Sequence, residues 1–305
     1  MLDFRRPTLE DAQWARAVLQ TMQSGGPAPS EMGFGTLYLW SSTYDTQICR
    51  YRNSLIIRYS DEETYAYDVP VGDGDLHEMI EATIADAQAH GKKYRLWGIT
   101  DAEMPLVEAS EPGRFFYYPE RDHFDYVYRT EDLAELKGRK YHSKRNHLAR
   151  FRKMYPSYTF ELLHAGNLAD CLPVARQWCC ENGCGEELRM ENCAIAKALR
   201  EFDALHLEGG LIRIDGAPVS FVIGEALNPD TIDLHFEKAL SGYEGLYAAI
   251  NQEFAAHLLG KYQYINREED MGSEGLRKAK LSYYPAVLLE KHAAVLKEEA
   301  ADAAG

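Results

Sequence analysis

The sequence predicts a mixed α/β fold that is built twice along the chain, each time as a mixed sheet flanked by helices. The length of 305 residues suits two ordinary domains, each able to bury its own core. A hydrophobic fraction of 46% and a charged fraction of 27% are typical of a folded globular protein. Both halves show the same order of periodic segments: strand, helix, hairpin, strand, helix and strand. Residue identity between the halves is low, so the repeat is one of pattern.

The first half contains a predicted helix from Leu9 to Met22, for which Thr8 is a suitable N-cap. Two apolar runs separated by the turn-like segment Ser60–Glu63 predict a pair of strands. A helical pattern that Gly91 ends comes next, and a further apolar run follows it. The strands are expected at residues 54–59, 64–69 and 94–99, and the second helix at residues 76–90.

The second half repeats this order. Asn167 is a suitable N-cap for a helix that follows a strand-like segment. Asp215 and Gly216 both readily adopt positive φ, so they predict a tight hairpin between two apolar runs. Gly260 ends a later helix. The strands are expected at residues 158–163, 210–214, 218–223, 231–237 and 262–266, and the helices at residues 167–181 and 246–259.

These elements divide the chain near Thr130. We expect an N-terminal domain at residues 1–130, a basic linking helix at 131–156, a C-terminal domain at 157–296 and a frayed tail at 297–305. The tail is rich in alanine and glutamate, and terminal segments without apolar residues to dock are poorly ordered.

Charge and hydropathy limit the classes of function. The net charge of −15 argues against bulk binding to a polyanion, because phosphate contacts need lysine and arginine. No stretch approaches the roughly 20 apolar residues that span a bilayer. The N-terminal segment also lacks the apolar core of a signal peptide. We therefore expect a cytoplasmic protein with no integral membrane segment.

The six cysteines do not form a metal-site pattern. Four of them lie between Cys179 and Cys193, without a paired CxxC or an interleaved histidine. A structural zinc site needs four tetrahedral ligands, which usually come from two closely spaced pairs. We therefore expect no metal site and reduced thiols.

The segment from Lys137 to Lys153 is an exception to the acidic character, since it holds eight lysines or arginines and no acid. Its helical spacing, closed by Pro156, predicts a helix. The apolar stripe places Lys144 on the packed side, with Arg145 and Arg152 at its edge. A buried ammonium must reach water or meet an anion. The segment is either a clamp for a phosphate, a nucleic-acid backbone or a lipid headgroup, or a solvated helix.

The strand expected at residues 231–237 alternates between apolar and titratable residues. Asp233, His235 and Glu237 share one face of it. Carboxylates beside an imidazole raise its basicity, so His235 is a candidate general base, and Glu237 is the second candidate. The alternative is an ordinary strand with one face in water.

A third candidate region follows the last of these predicted strands. Arg267 and Glu268 lie just beyond its C-terminal end, where open α/β sheets place ligand sites. Arg277 and Lys280 share one face of a helix for which Ser273 is a good N-cap. These residues are either part of a site or members of an ion-paired loop.

Three passages together resemble the bacterial family named for the phosphatidylglycerol lysyltransferase C-terminal domain: Phe34–Trp40, Tyr141–His147 and Asn266–Pro285. The resemblance covers essentially the whole chain. It implies two tandem GNAT-like acyltransferase domains, related to the Fem-type peptidoglycan aminoacyltransferases. Characterised members of that family transfer an amino acid from aminoacyl-tRNA to a lipid headgroup. The family-marking positions in this sequence are Lys144, Arg145, Asn146, Arg267, Glu268, Arg277 and Lys280.

The resemblance and the basic helix imply a transferase that moves an acyl or aminoacyl group from a phosphate-bearing donor to an amine or hydroxyl. Aminoacyl-tRNA is the favoured donor because of the basic helix. Acyl-CoA is the second, since Ser241–Gly245 does not match the usual acetyl-CoA loop. No tightly bound cofactor is expected, and the acceptor is a small molecule, a peptide or a lipid headgroup.

In this hypothesis His235, Glu237 and Glu268 are the catalytic residues. Such a reaction needs positioning, a base and stabilisation of the developing oxyanion. The alternative is a non-catalytic sensor or scaffold that keeps the GNAT-like fold. The residues expected to bind the donor's anionic group are Lys144, Arg145, Asn146, Arg152, Arg267, Arg277 and Lys280.

Overall fold

The computed structural model describes residues 2–21 and 25–302, which form two mixed sheets flanked by helices, as the sequence predicts. The helices are α1 (Ala12–Thr21), α2 (Phe34–Leu39), α3 (Leu76–Ala89), α4 (Met104–Ser110), α5 (Thr130–Glu135), α6 (His142–Met154), α7 (Cys171–Glu181), α8 (Glu186–Arg200), α9 (Leu246–Leu258), α10 (Glu274–Leu281) and α11 (Lys297–Asp302). The strands are β1 (Gln47–Tyr51), β2 (Ser54–Ser60), β3 (Thr64–Asp68), β4 (Val71–Gly72), β5 (Lys93–Thr100), β6 (Phe115–Pro119), β7 (Asp125–Arg129), β8 (Thr159–Leu162), β9 (Leu207–Ile214), β10 (Ala217–Ala226), β11 (Thr231–Ala239), β12 (Tyr264–Asn266), β13 (Val287–Leu289) and β14 (Lys291–Leu296). In this described part of the chain, none of the helices has both the length and the apolar character needed to cross a membrane.

The first sheet has the strand order β1-β2-β3-β5-β14-β6, with β4 paired to β2. Strands β3 and β5 are parallel, and the remaining pairs are antiparallel. Its core contains Ile80 and Ile84 of α3 together with Tyr67, Tyr94 and Leu96 of the sheet. Alternating apolar residues on β3 and β5 therefore meet the apolar face of α3, which fixes the register of the sheet.

The second sheet has the strand order β13-β7-β12-β11-β10-β9-β8. Only β11 and β12 are parallel among these pairs. Helices α7 and α9 both pack on β10 and β11. Phe221, Phe236 and Phe254 are buried where these elements meet. Strand β11 is thus interior to the sheet, with a paired strand on either side.

The two sheets exchange strands across the predicted division of the chain. Strand β7 precedes residue 130, yet it pairs with β12 and β13 of the second sheet. Strand β14 comes from the end of the chain, yet it lies between β5 and β6 of the first sheet. The pairing therefore differs from a simple division at Thr130. Strand pairing is decided by tertiary packing, whereas the predicted boundary rested on local signals alone.

The basic segment forms α6, which a short 3-10 turn at residues 139–141 precedes. The predicted apolar stripe is confirmed, because Tyr141, Leu148 and Phe151 are buried. Gly245, at the start of α9, lets the two helices approach closely. A Cβ atom at that position would lie 2.7 Å from the carbonyl oxygen of His147. The glycine therefore serves the packing of α6 on α9.

The two ends of the chain depart from the predicted elements. Thr8 precedes a 3-10 turn at residues 9–11, and its N–H and hydroxyl both donate to Asp11 before α1 begins. The predicted end of that helix, Met22, lies outside the described residues. Of the tail expected to be frayed at residues 297–305, residues 297–302 form α11 and residues 303–305 lie outside the described residues. Helix α11 continues directly from β14, which anchors its first turn to the sheet.

Cys179 and Cys184 form a disulfide at the end of α7. Their Cα atoms are 4.8 Å apart, within the range that a disulfide spans without backbone movement. Gly183 has φ 88° and Cys184 has φ 49°, so the chain turns back immediately after the helix. The expectation of reduced thiols is therefore wrong for this pair, because a tight turn that the spacing did not reveal brings the two residues together.

Candidate functional site

The titratable residues of β11 lie in the interior of the molecule. The side chains of Asp233 and His235 have no exposed surface. The segment of α2 contributes to this enclosure, since Gly35 N–H donates to Oε2 of Glu225 on the neighbouring strand at 2.6 Å. A Cβ atom at Gly35 would lie 3.1 Å from Nε2 of His235. The alternative of an ordinary strand with one face in water is therefore wrong, because β11 is covered on both faces.

Carboxylates surround the ring of His235 on both edges. Its Nδ1 lies 3.3 Å from Oδ2 of Asp233 and 3.3 Å from Oε1 of Glu268. Its Nε2 lies 3.5 Å from Oε2 of Glu225 but makes no hydrogen bond. Burial alone would lower the pKa of His235. The three carboxylates together outweigh this effect, so the pKa of His235 lies well above its usual value. The ring has no exposed atom with which to take a proton from a substrate.

Glu268 occupies a constrained loop immediately after β12. Its φ of 55° is in the left-handed region. Lys280 fixes this loop, because its buried ammonium donates to the carbonyl oxygens of Arg267, Glu268 and Glu269. Burial, and then the nearby Asp233, raise the pKa of Glu268 to about 7. Lys280 was predicted to bind a donor anion, but in this structure its donors are used by the loop.

Arg267 connects the same loop to the end of β11. Its Nη2 donates to Oε1 of Glu237 at 3.0 Å, and the guanidinium lies over the rings of Tyr128 and Tyr283. Asn251 donates to the other oxygen of Glu237 at 3.3 Å. The Nη1 atom of Arg267 is buried and has no hydrogen-bond partner. A buried guanidinium with a free donor is a natural contact for an anionic group.

Lys144 brings the basic helix to this point. Its ammonium donates to Oγ of Ser282 at 2.7 Å and lies 3.7 Å from the centre of the Tyr283 ring. Burial, and then repulsion from Arg267, lower the pKa of Lys144 to about 8. Two cations, Lys144 and Arg267, thus contact the same Tyr283 ring. The predicted placement of Lys144 on the packed side of the helix is confirmed.

The other cations of the basic segment are used by the fold. Arg145 donates to the carbonyl oxygens of Leu136 and Gly138, which end the turn after α5. Arg152 pairs with Glu253 at 3.2 Å. Four of the eight cations pair with acids, namely Lys137, Lys140, Arg150 and Arg152. Asn146 is exposed, and its nearest polar partner is His142 on the preceding turn. Fewer cations of the basic segment are therefore available to bind an anion than the sequence predicts.

The hydrogen bonds of Arg277 also hold parts of the fold together. It donates to both oxygens of Asp270, which is fully buried, and to Asp122. Asp270 in turn accepts from the hydroxyl of Tyr126 at 2.6 Å. These contacts join α10 to the loop after β12 and to the residues before β7. The interpretation of Arg277 as a donor-binding residue is thus not favoured by its contacts.

Two groups of predicted residues come together, and a third group does not. Lys144 and Arg267 both contact Tyr283, and Arg267 pairs with Glu237, so these three site residues form one connected set. His235 and Glu268 form a second set, around Asp233. The residues that instead hold loops or lie on the surface are Arg145, Asn146, Arg152, Arg277 and Lys280.

A family model described as phosphatidylglycerol lysyltransferase, C-terminal, matches residues 24–295. The chain belongs to that family. The three passages that carry the resemblance meet around β11 in this family member: Phe34–Trp40 places Gly35 against Glu225, Tyr141–His147 supplies Lys144, and Asn266–Pro285 supplies Arg267 and Glu268.

Solved structures share this fold. A conserved protein of unknown function from Bacteroides thetaiotaomicron is 38% identical, with a TM-score of 0.90 over 97% of this chain and 100% of that chain. L-PGS from Bacillus licheniformis is 16% identical, with a TM-score of 0.67 over 96% and 93% of the two chains. FemX is 10% identical, with a TM-score of 0.57 over 99% of both. No protein of curated function matches the sequence. The family and the tandem GNAT-like fold indicate an aminoacyltransferase domain.

Sequence reasoning missed two buried charged residues of this family member. Glu225 lies at the end of the apolar run of β10, and a carboxylate in such a run is itself a signal, because buried acids are rare unless paired. Lys291 of β14 contacts Asp125 at 2.8 Å and Glu31 at 2.6 Å, where the two sheets meet. No local pattern marks Lys291, since both partners lie more than 150 residues away in the sequence.

Three residues of the site also have the arrangement of metal ligands. One ligand atom each from Asp233, His235 and Glu268 lie within 4.8 Å of one another. The same holds for two more exposed groups among the described residues: His77, Glu81 and Glu111, and Asp101, Glu290 and His292.

Proposed function

We propose that this protein is an aminoacyl- or acyltransferase in which Lys144 and Arg267 bind the anionic part of the donor. The observation that carries the proposal is the contact of both cations with one ring, Tyr283, beside the end of β11. These contacts bring Lys144 of the basic helix close to Arg267, which pairs with Glu237. A donor-binding site between the basic helix and β11 requires this proximity.

The charges of this set favour an anionic ligand. Lys144 and Arg267 carry two positive charges, and Glu237 supplies one negative charge within hydrogen-bond distance. The free Nη1 of Arg267 is buried, and leaving such a donor unpaired is costly. A phosphate oxygen of a donor would satisfy it and would also meet the ammonium of Lys144.

Glu237 is the best placed of the three predicted catalytic residues to accept a proton. His235 is enclosed, and Glu268 faces His235. Glu237 is partly exposed, and Arg267 and Asn251 fix its carboxylate. In the proposed step the acceptor's amine or hydroxyl attacks the acyl carbonyl carbon and its proton passes to Glu237. The bond from that carbon to the donor oxygen, or to sulfur for a thioester, then breaks, and the leaving group takes up the proton held by Glu237.

Aminoacyl-tRNA is the donor that we favour, with acyl-CoA second. Arg139 and Lys153 are exposed near the ends of the same basic segment, so they are available to a nucleic-acid backbone that extends beyond the site. The acceptor is an amine or hydroxyl of a small molecule, a peptide or a lipid headgroup. Neither substrate needs a tightly bound cofactor for this chemistry.

The substitution Lys144→Ala tests the donor site. Binding of charged tRNA, uncharged tRNA and CoA is measured at several salt concentrations. Loss of one charge-assisted contact should weaken donor binding about tenfold or more and reduce its salt dependence. Arg150→Ala is the matched control, because Arg150 is an exposed cation of the same helix paired with Glu244. Equal binding by Lys144→Ala and the wild type would contradict the proposal.

A non-catalytic sensor or scaffold is the second candidate, and the enclosure of His235 favours it. A sensor would bind the donor without transferring the acyl group. Glu237→Gln separates the two, since it keeps the size of the side chain and removes the proton acceptor. A transferase should lose turnover about a hundredfold or more while still binding the donor. Donor binding by the wild type with no transfer to a panel of amines and alcohols would favour the sensor.

A further inference from the structure

We propose that Asp233, His235 and Glu268 bind one divalent transition-metal ion inside the second sheet. The cysteine spacing predicts no metal site, and these three ligands come from two separate segments without a spacing motif. Their ligand atoms nevertheless converge, within 4.8 Å of one another, in the interior of the protein.

The two distances from the imidazole nitrogen to the carboxylates suit a single small ion. Nδ1 of His235 lies 3.3 Å from the nearest oxygen of Asp233 and 3.3 Å from that of Glu268. Two ligands bound to one ion at about 2.1 Å lie roughly 3.0–3.4 Å apart for near-octahedral to tetrahedral angles. The side chains of Asp233 and His235 have no exposed surface, so bulk water does not reach their ligand atoms.

Hydrogen bonds alone do not satisfy all the buried polar atoms of this cluster. One Nδ1–H of His235 cannot donate fully to both Asp233 and Glu268. Both carboxylate oxygens of Asp233 lack a hydrogen-bond partner although the residue is completely buried. A buried carboxylate without a hydrogen bond is rare, because buried charges are normally hydrogen-bonded or coordinate metals, and the only opposite charge beside Asp233 among these residues is His235 at 3.3 Å. An ion bonded to all three ligand atoms would satisfy Asp233 and would let Nδ1 act as an acceptor.

The surroundings place a carboxylate on the side of His235 where a metal-bound histidine uses one. A ligating histidine usually donates its other N–H to a carboxylate, which fixes the ring. Glu225 lies on that side of His235, with Oε2 3.5 Å from Nε2. Gly35 N–H and Arg16 hold Glu225 in place. On the other side, Lys280 clamps the loop that presents Glu268.

The donor set favours a first-row transition metal. One imidazole nitrogen and two carboxylate oxygens suit Zn²⁺ or Mn²⁺. Mg²⁺ prefers six oxygen ligands and retains several water molecules, so a set that includes an imidazole nitrogen suits it less well. The other two groups are less suited, because Glu81 and Glu111 already pair with Arg114, and Asp101 and Glu290 are exposed. The ion would join β11 to the loop after β12.

The test is a direct binding measurement that needs no donor or acceptor. Chelator-treated protein is titrated calorimetrically with Zn²⁺, Mn²⁺ and Mg²⁺ separately. We expect one Zn²⁺ or Mn²⁺ per chain and no comparable binding of Mg²⁺. Asp233→Asn and His235→Gln should each weaken binding at least about tenfold, and Glu225→Gln should weaken it about tenfold through the orientation of His235. Glu81→Gln is the matched control and should bind as the wild type does.

Co²⁺ bound to the wild-type protein gives a readout that does not depend on the folding of a variant. The proposed ligands should produce the weak visible bands of a nitrogen- and oxygen-ligated ion. Intense thiolate charge-transfer bands would assign the ion to cysteines and overturn the proposal. Absence of Zn²⁺, Mn²⁺ and Co²⁺ binding by the wild type would also overturn it. So would full affinity in folded Asp233→Asn, with folding checked by circular dichroism.

Discussion

Adjacent residues of the basic helix have different roles. Lys144 is half-buried against Tyr283 and Ser282, beside Arg267. Arg145, the next residue, turns away and binds the carbonyl oxygens of Leu136 and Gly138. A helical step of about 100° separates the two side chains, so one reaches the candidate site and the other fastens a turn. Charge alone therefore does not identify the residues that bind the donor.

The lowered pKa of Lys144 predicts a pH dependence of donor binding. Lys144 is charged below its pKa of about 8 and neutral above it, so anion binding should weaken as the pH rises through about 8. Donor affinity is measured from about pH 6 to about pH 10 at constant ionic strength. Lys144→Arg is the control, since an arginine stays protonated throughout this range and should remove the transition. A transition that persists in Lys144→Arg would assign the titration to another group.

At the level of elements, the loop between β12 and α10 depends on one buried lysine. Lys280 replaces water as the donor to three successive carbonyl groups, at residues 267–269. Its helix is in turn joined to the loop by Arg277 and Asp270. Because Arg267 and Glu268 lie on this loop, both candidate sets of site residues depend on the same backbone support.

Lys280→Met should therefore destabilise the protein by about 2–3 kcal/mol, because it leaves buried carbonyl groups without donors. Urea unfolding measures this change. Lys278→Met is the matched control on the exposed face of the same helix and should change the free energy of unfolding by less than about 0.5 kcal/mol. Similar midpoints for the two variants would show that the loop does not need the ammonium of Lys280.

Local patterns predicted most elements of this fold but not their tertiary environment. The alternation around His235 predicted a strand correctly, yet alternation cannot distinguish water from a covering segment such as the one that contains Gly35. Lys144 was predictable because its neighbours Tyr141 and Leu148 define a packed stripe. The contacts of Arg145 were not predictable, since the carbonyl groups it binds belong to a turn in which Leu136 and Gly138 both have positive φ.

At the level of the whole molecule, the exchange of β7 and β14 makes the two sheets interdependent. Strand β14 is bonded on both sides, to β5 and to β6. It also carries Lys291, whose buried ammonium meets Asp125 and Glu31. Pairing between distant segments follows from packing and not from local signals, so the sequence did not reveal it.

Removal of residues 291–305 should abolish cooperative unfolding of the first sheet, because β5 and β6 lose their shared partner. Circular dichroism and binding of a hydrophobic dye measure the loss of packed structure. Removal of residues 297–305 is the control, since it leaves β14 in place and should preserve a cooperative transition. A cooperative transition of normal midpoint in the shorter chain would show that the first sheet is stable without β14.

The position of β14 has a consequence for synthesis on the ribosome. Among the described strands, β6 pairs with β14 alone, so it waits for a partner that is translated 172 residues later, from Pro119 to Lys291. At ordinary elongation rates this delay is on the order of ten seconds or more. During that time the nascent chain exposes an open seam beside β5, a place where a chaperone would bind or a neighbouring nascent chain would pair.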